Sequence, residues 1–206
     1  MQFCPMLLHG NEGGNPLGRE DLPMEEIARD WFGEPVADAP TFALLMDREN
    51  LWFLAGRGIP AISHPASAPG AFQAELWRYD VVEVFIAGPQ GNRYYEFNVS
   101  PNGGWWSCEY VAPRVRATGE EIAFAGAKSH AITHPDGSWR VALSIPVAGL
   151  RELIGFGPGA RANVAMILET PGQRFLTVHD LGGGAPDYHR PKAFPTLRLG
   201  EGVEWS

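Results

Sequence analysis

The sequence predicts an all-β fold, an antiparallel β-sandwich with a short helix near its N-terminus. Two observations carry that prediction. Val81-Val-Glu-Val-Phe-Ile86 and Tyr94-Tyr-Glu-Phe-Asn-Val99 alternate with period two, the repeat of a pleated strand. Gly (25) and Pro (18) interrupt the 206 residues often enough for many short strands joined by turns, and too often for a helical bundle.

In chain order, residues 10–20 read as a loop. Asp21–Gly33 carries helix signals: Asp21 at a capping position, Pro23 near the first turn, acids after it and Gly33 to stop it. Met24, Ile27 and Trp31 recur there at three- and four-residue spacing. Pro35–Pro40 is a linker, so residues 1–35 are expected to be an extension whose helix packs on a sandwich domain spanning 36–206. Thr41–Met46 and Leu51–Ala55 are apolar strands around an Asp47–Asn50 turn. A loop rich in Gly, Pro, Ala and Ser runs to Gly70, and Val81–Ile86 and Tyr94–Ser100 then form a hairpin around Ala87–Asn92. Further strands are expected over Ser107–Arg116, Glu121–Lys128, His130–Thr133 and Trp139–Ile145. A helical turn at Val147–Ile154 precedes the strand pair Arg161–Glu169 and Arg174–His179. Leu181–Lys192 reads as an irregular loop, and Leu197–Leu199 closes the sheet.

Charged residues are 19% and hydrophobic residues 45%, a globular composition, and the net charge of −8 opposes nucleic-acid binding. Cys4 and Cys108 match neither a zinc spacing nor a disulfide framework. Met1–His9 lacks the basic start of a signal peptide, and no apolar run approaches the roughly 18 residues of a membrane span. A soluble, cytoplasmic protein without nucleic-acid or membrane partners is expected; secretion and oligomeric state stay open.

The hairpin gives the first functional hint. With Val82, Val84, Ile86, Tyr95, Phe97 and Val99 turned to the core, Glu83, Tyr94, Glu96, Asn98 and Ser100 share the opposite face. Rings that stack on a pyranose and carboxylates and amides that hold its hydroxyls make up a sugar-binding set. The same pattern also fits an ordinary solvated sheet face. Trp105 and Trp106 point to opposite faces, one toward the core and one free to enlarge a platform or meet a partner.

Two motifs add a resemblance. Trp77-x-x-Asp80-x-Val82-Glu83-Val84-Phe85 and the ending His189-Arg-Pro-Lys-Ala-Phe194-Pro-Thr-Leu197-Arg-Leu199 are similar to family 9 carbohydrate-binding modules and the wider DOMON-like sandwiches, over about Thr41–Leu199. The resemblance implies a jelly-roll-like sandwich and a terminal sugar held between two rings, which fall here on Trp77 and Tyr188. Glu83, Asn98 and Ser100, with Glu96 beside them, would bind hydroxyls. Asn98 and Ser100 stand where that family usually has an arginine and an asparagine, and Tyr188 where it has a second Trp. On a straight strand Trp77 and Glu83 would lie about 20 Å apart, so Arg78-Tyr79-Asp80 must turn for both to reach one sugar.

The expected function is non-catalytic binding of a sugar or glycan end, the partner being a sugar or another small polar ligand, with no catalytic residue, no metal ligand and no cofactor. Calcium in a structural role stays open. Two alternatives remain. Glu83 and Glu96, as cross-strand neighbours, would suit a glycoside-acting enzyme, one as acid/base and one as nucleophile. An intracellular small-ligand or interaction module with the sugar site lost is the other, and a buried Tyr188 would favour it. His179, Asp180, Asp187 and His189 around Gly182–Gly184 have metal-donor chemistry, though loop polar residues seldom bind metal. Met46, Met166 and His179 could ligate haem, a role that apolar strand methionines seldom take.

Overall fold

The computed structural model describes residues 6–200 and 203–205. Its strands in chain order are β1 (Met6–Gly10), β2 (Glu25–Glu26), β3 (Thr41–Met46), β4 (Asn50–Arg57), β5 (Val81–Ala87), β6 (Tyr94–Val99) and β7 (Trp105–Ala112). There follow β8 (Val115–Arg116), β9 (Lys128–Thr133), β10 (Trp139–Pro146), helix α1 (Val147–Ile154), β11 (Arg161–Leu168), β12 (Arg174–Thr177) and β13 (Leu197–Leu199). They form two sheets: β13-β1-β3-β4-β10-β9, with β2 added on β3, and β12-β11-β5-β6-β7-β8. Neighbours pair antiparallel, except that β1 runs parallel to both β13 and β3.

The sheets meet through the side chains that the alternation assigns inward. Val82, Val84 and Ile86 of β5 and Tyr95, Phe97 and Val99 of β6 join Phe42, Leu44, Phe53, Val141 and Leu143 from the other sheet in one buried cluster. Each such side chain contributes about 1.5–3 kcal/mol by leaving water, so this layer is the main stabilising force. Local chemistry fixes the connections. The Asp47 carboxylate accepts from the Glu49 and Asn50 N–H groups at 2.9 and 2.8 Å, closing the β3–β4 turn. Gly155, at φ 67°, ends α1 in the left-handed conformation, with its N–H on the Arg151 carbonyl. Among the described residues no helix is long and apolar enough to cross a membrane.

The structure corrects the N-terminal reading. Residues 21–33 are not helical; the helical turn of this region is a 3-10 turn at Pro16–Gly18, capped by Asn15. Glu25 and Glu26 pair with Phe42 and Thr41, and the Ile27 N–H reaches the Pro40 carbonyl. The Asp30 carboxylate accepts from the Phe32 and Glu34 N–H groups, donors a helix would have used itself, and from Arg174. Pairing on β3 thus outweighs local helix propensity. Among the described residues before 35, β1 lies within the first sheet, between β13 and β3. No strand forms over 121–127, where Phe124 instead fills the core, its N–H on Ser107 Oγ at 2.9 Å.

Candidate ligand-binding site

The outer face of the second sheet holds the candidate site. Register puts Glu83 opposite Asn98, Phe85 opposite Glu96, Asn98 opposite Trp106 and Tyr94 opposite Tyr110. Glu83 and Glu96 are therefore diagonal neighbours, not directly opposed as the sequence suggested. Part of this face is sealed by a second apolar cluster in which Phe85, Tyr94, Trp106, Tyr188 and Phe194 take part. What remains is a cleft of about 470 Å³ lined by Glu83, Glu96, Trp106 and Tyr110 from the sheet, with Tyr188 and His189 from the 181–192 loop and Trp77 and Arg114.

Of the residues singled out from sequence, Trp77, Glu83, Glu96 and Tyr188 line this cleft, whereas Asn98 and Ser100 do not. Trp77 reaches it because Leu76–Arg78 forms a 3-10 turn, anchored by buried Leu76. Its ring is 49% exposed, and its carbonyl accepts from the Gln173 amide at 2.9 Å. Asp80, of the same motif, serves the framework: its carboxylate accepts from the Ile62 N–H and from the N–H and hydroxyl of Thr170. Tyr188 is only 7% exposed. Its hydroxyl donates to the Met166 carbonyl at 3.1 Å and its ring meets Trp31 and Phe85, so it forms a wall instead of an open platform.

The floor is electrostatically unusual. The Asn98 amide donates to Glu96 Oε1 at 2.9 Å. Glu96 Oε2, Asn98 Oδ1 and Ser100 Oγ are buried without a hydrogen-bond partner. Burial, and then the neighbouring Glu96 charge, push the Glu83 carboxyl well above the usual carboxylate range. Burial raises Glu96 as well, opposed by the Asn98 amide, the Tyr110 hydroxyl and the arginines at 116 and 114. Two like charges in one dry place favour retention of a proton by the pair.

Sequence reasoning did not find Tyr110, Arg114 or Arg116, and weighed His189 as a metal donor and not as part of this cleft. Tyr110 had a signal: it follows Trp106 and Cys108 at period two, on the face that holds Glu96. Arg114 comes from a turn, Arg116 from the two-residue strand β8 and His189 from a loop, where no periodicity can be read. Tyr94 stacks on Tyr110 with ring centroids 4.9 Å apart. The Tyr94 hydroxyl accepts from the Arg114 N–H at 3.2 Å and shares a hydrogen bond with His189 Nδ1 at 2.8 Å. His189 Nε2 faces Glu96 Oε2 at 3.8 Å, too far for a hydrogen bond. Burial, and then Arg114, lower the His189 pKa to about 4, so the ring is neutral at physiological pH.

Trp105 lies in the inter-sheet core and Trp106 on the cleft face, each 5% exposed, so neither is the open ring expected for one of them. Trp106 donates from Nε1 to Glu121 and lies under the Arg116 guanidinium, 5.2 Å from the ring centre. The late-loop metal donors are otherwise engaged: Asp187 pairs with Arg114, Asp180 caps the Gly182 N–H and His189 bonds Tyr94. Among the described residues no group of three or more His, Cys, Asp or Glu side chains is placed to hold a metal ion.

Comparisons with known proteins agree with this architecture. No family model and no curated protein matches the chain. Solved structures do. A proposed carbohydrate-binding protein from Bacteroides uniformis superposes with a TM-score of 0.73 at 15% identity, covering 96% of this chain and 100% of that one. A family 9 carbohydrate-binding module from Caldicellulosiruptor kristjanssonii, in complex with cellotriose, gives 0.59 at 14% identity over 94% of this chain and 92% of the other. A module of the same family and organism in complex with glucose gives 0.59 at 15% identity, over 96% and 98%. The chain is thus a β-sandwich with the fold of family 9 carbohydrate-binding modules.

Proposed function

We propose that the chain is a non-catalytic module that binds a sugar, or the end of a glycan, in the cleft over β5, β6 and β7. The observation that carries this reading is Glu96 Oε2, an acceptor buried without a partner on the floor of a cleft walled by aromatic rings. Such an acceptor costs about 1–3 kcal/mol until a donor reaches it, and a sugar hydroxyl is such a donor. The exposed Trp77 ring offers a stacking surface at the rim. Asn98 acts through Glu96, which it holds in place, and Tyr188 shapes the wall. Two of the structures sharing this fold were determined with cellotriose and with glucose, which supports the same ligand class.

Calorimetric titration with a panel of mono- and disaccharides tests the reading. Saturable heat is expected, with affinity falling about three- to tenfold in Trp77→Ala as a ring contact is lost. Silence across the panel from protein with a native circular dichroism spectrum would overturn it. Two observations favour other readings. The raised Glu83 carboxyl suits a general acid in glycoside hydrolysis with Glu96 as partner; release of product from chromogenic glycosides, lost in Glu83→Gln, would decide for an enzyme. The burial of Tyr188 favours a small polar ligand other than a sugar, because one open ring makes no two-sided clamp.

A further inference from the structure

We infer that the preferred ligand of the cleft carries a positively charged amine beside its hydroxyls, an amino sugar with a free ammonium group held between Glu83 and Glu96. This rests on the sugar-binding reading and specifies its ligand class.

The balance of charge around the cleft leads there. Of its cations, Arg114 is paired with Asp187 at 2.8 Å and Arg116 with Glu121 at 2.6 Å, both on the partly exposed rim. Glu75, also at the rim, is paired with Arg78 at 2.9 Å. These rim charges cancel in pairs. The loop contributes Tyr188, which spends its hydroxyl on a backbone carbonyl, and His189, which burial keeps neutral. From the sheet come Tyr94, Cys108 and Tyr110, all held in their neutral forms by burial. Glu83 and Glu96 are left as the two groups on the floor with no ion-pair partner of opposite fixed charge.

A neutral hydroxyl would satisfy Glu96 Oε2 but leave that charge uncompensated. An ammonium does both: it offers up to three donors to the two carboxyl groups and replaces the proton that the pair otherwise retains. The cleft volume lies within the range of small-molecule sites.

Glucosamine, glucose and N-acetylglucosamine share one pyranose and differ at a single substituent, so they are the probes. Each is titrated calorimetrically in two buffers of different ionisation enthalpy. Glucosamine is expected to bind at least about tenfold more tightly than the other two, with net proton release, and to tighten with rising pH as the carboxyl pair ionises. Glu96→Gln is expected to abolish the preference; Glu83→Gln serves the same purpose if the first variant does not fold. Equal affinity for glucose and glucosamine overturns the amine inference and leaves the sugar module standing. No binding of any of the three, from folded protein, removes the sugar reading and this inference together.

Discussion

Glu83 is a side chain whose burial works against the folded state. Its folded pKa lies above its unfolded one, so what it contributes to stability is fully present below the unfolded value, about 4.3, and is lost as pH rises through the raised value. His189 acts in the opposite sense. Its pKa falls to about 4 on folding, so its contribution is present above the unfolded value of about 6.5 and is lost as pH falls toward 4. The two overlap in mildly acidic solution, and a single-site change separates them. Glu83→Gln is expected to stabilise the ligand-free protein at neutral pH by about 1–3 kcal/mol, since a neutral isostere removes the desolvated charge. It is also expected to flatten the fall of Tm with rising pH while weakening ligand binding. Thermal melts of both proteins across pH check the first two effects, and the sugar titrations check the third.

The 3-10 turn before β5 depends on Asp80 in the same way that the cleft depends on Glu83. Three donors from two distant segments converge on one buried carboxylate. Asp80→Ala is expected to cost about 3 kcal/mol in urea unfolding, because bonds to a charged acceptor are the stronger kind and the donors are left unpaired. Trp77 affinity effects should follow, as the turn that presents the ring loses its tether. Much of this region could be read from sequence because β5 and β6 alternate cleanly, and alternation alone sorts Glu83, Glu96, Asn98 and Ser100 onto one face. Which of them reach the cleft could not be read. The offset that pairs Glu83 with Asn98 and leaves Glu96 diagonal is set by the loop between the strands, and a shift of register changes every partner. Arg114 was hidden, and His189 was weighed only as a metal donor, because they come from a turn and a loop, where burial and charge depend on distant segments. Asp21–Gly33 was misread for a related reason: capping and spacing signals are local, whereas the free edge of β3 that draws Glu25 and Glu26 into a strand is not.

Across the chain, the first described strand and the last lie side by side. Leu7 pairs with Arg198 and Leu8 with Leu199, while His9 and Gly10 pair with Leu45 and Met46 on the other side. Leu8 is fully buried, so Leu8→Ala is expected to destabilise the whole sandwich by about 2–5 kcal/mol, read from chemical denaturation as a single cooperative transition. An unaltered midpoint would mean that the first sheet does not need β1. The same neighbourhood has a consequence in time. At a ribosomal rate of about 5–20 residues per second, the roughly 190 residues between the two strands take about 10–40 seconds to emerge. For that interval a nascent chain carries β1 with one ladder unfilled, an open template for any other extended segment nearby. Completion of the sheet, and with it protection from mispairing, waits for translation to reach Leu197–Leu199.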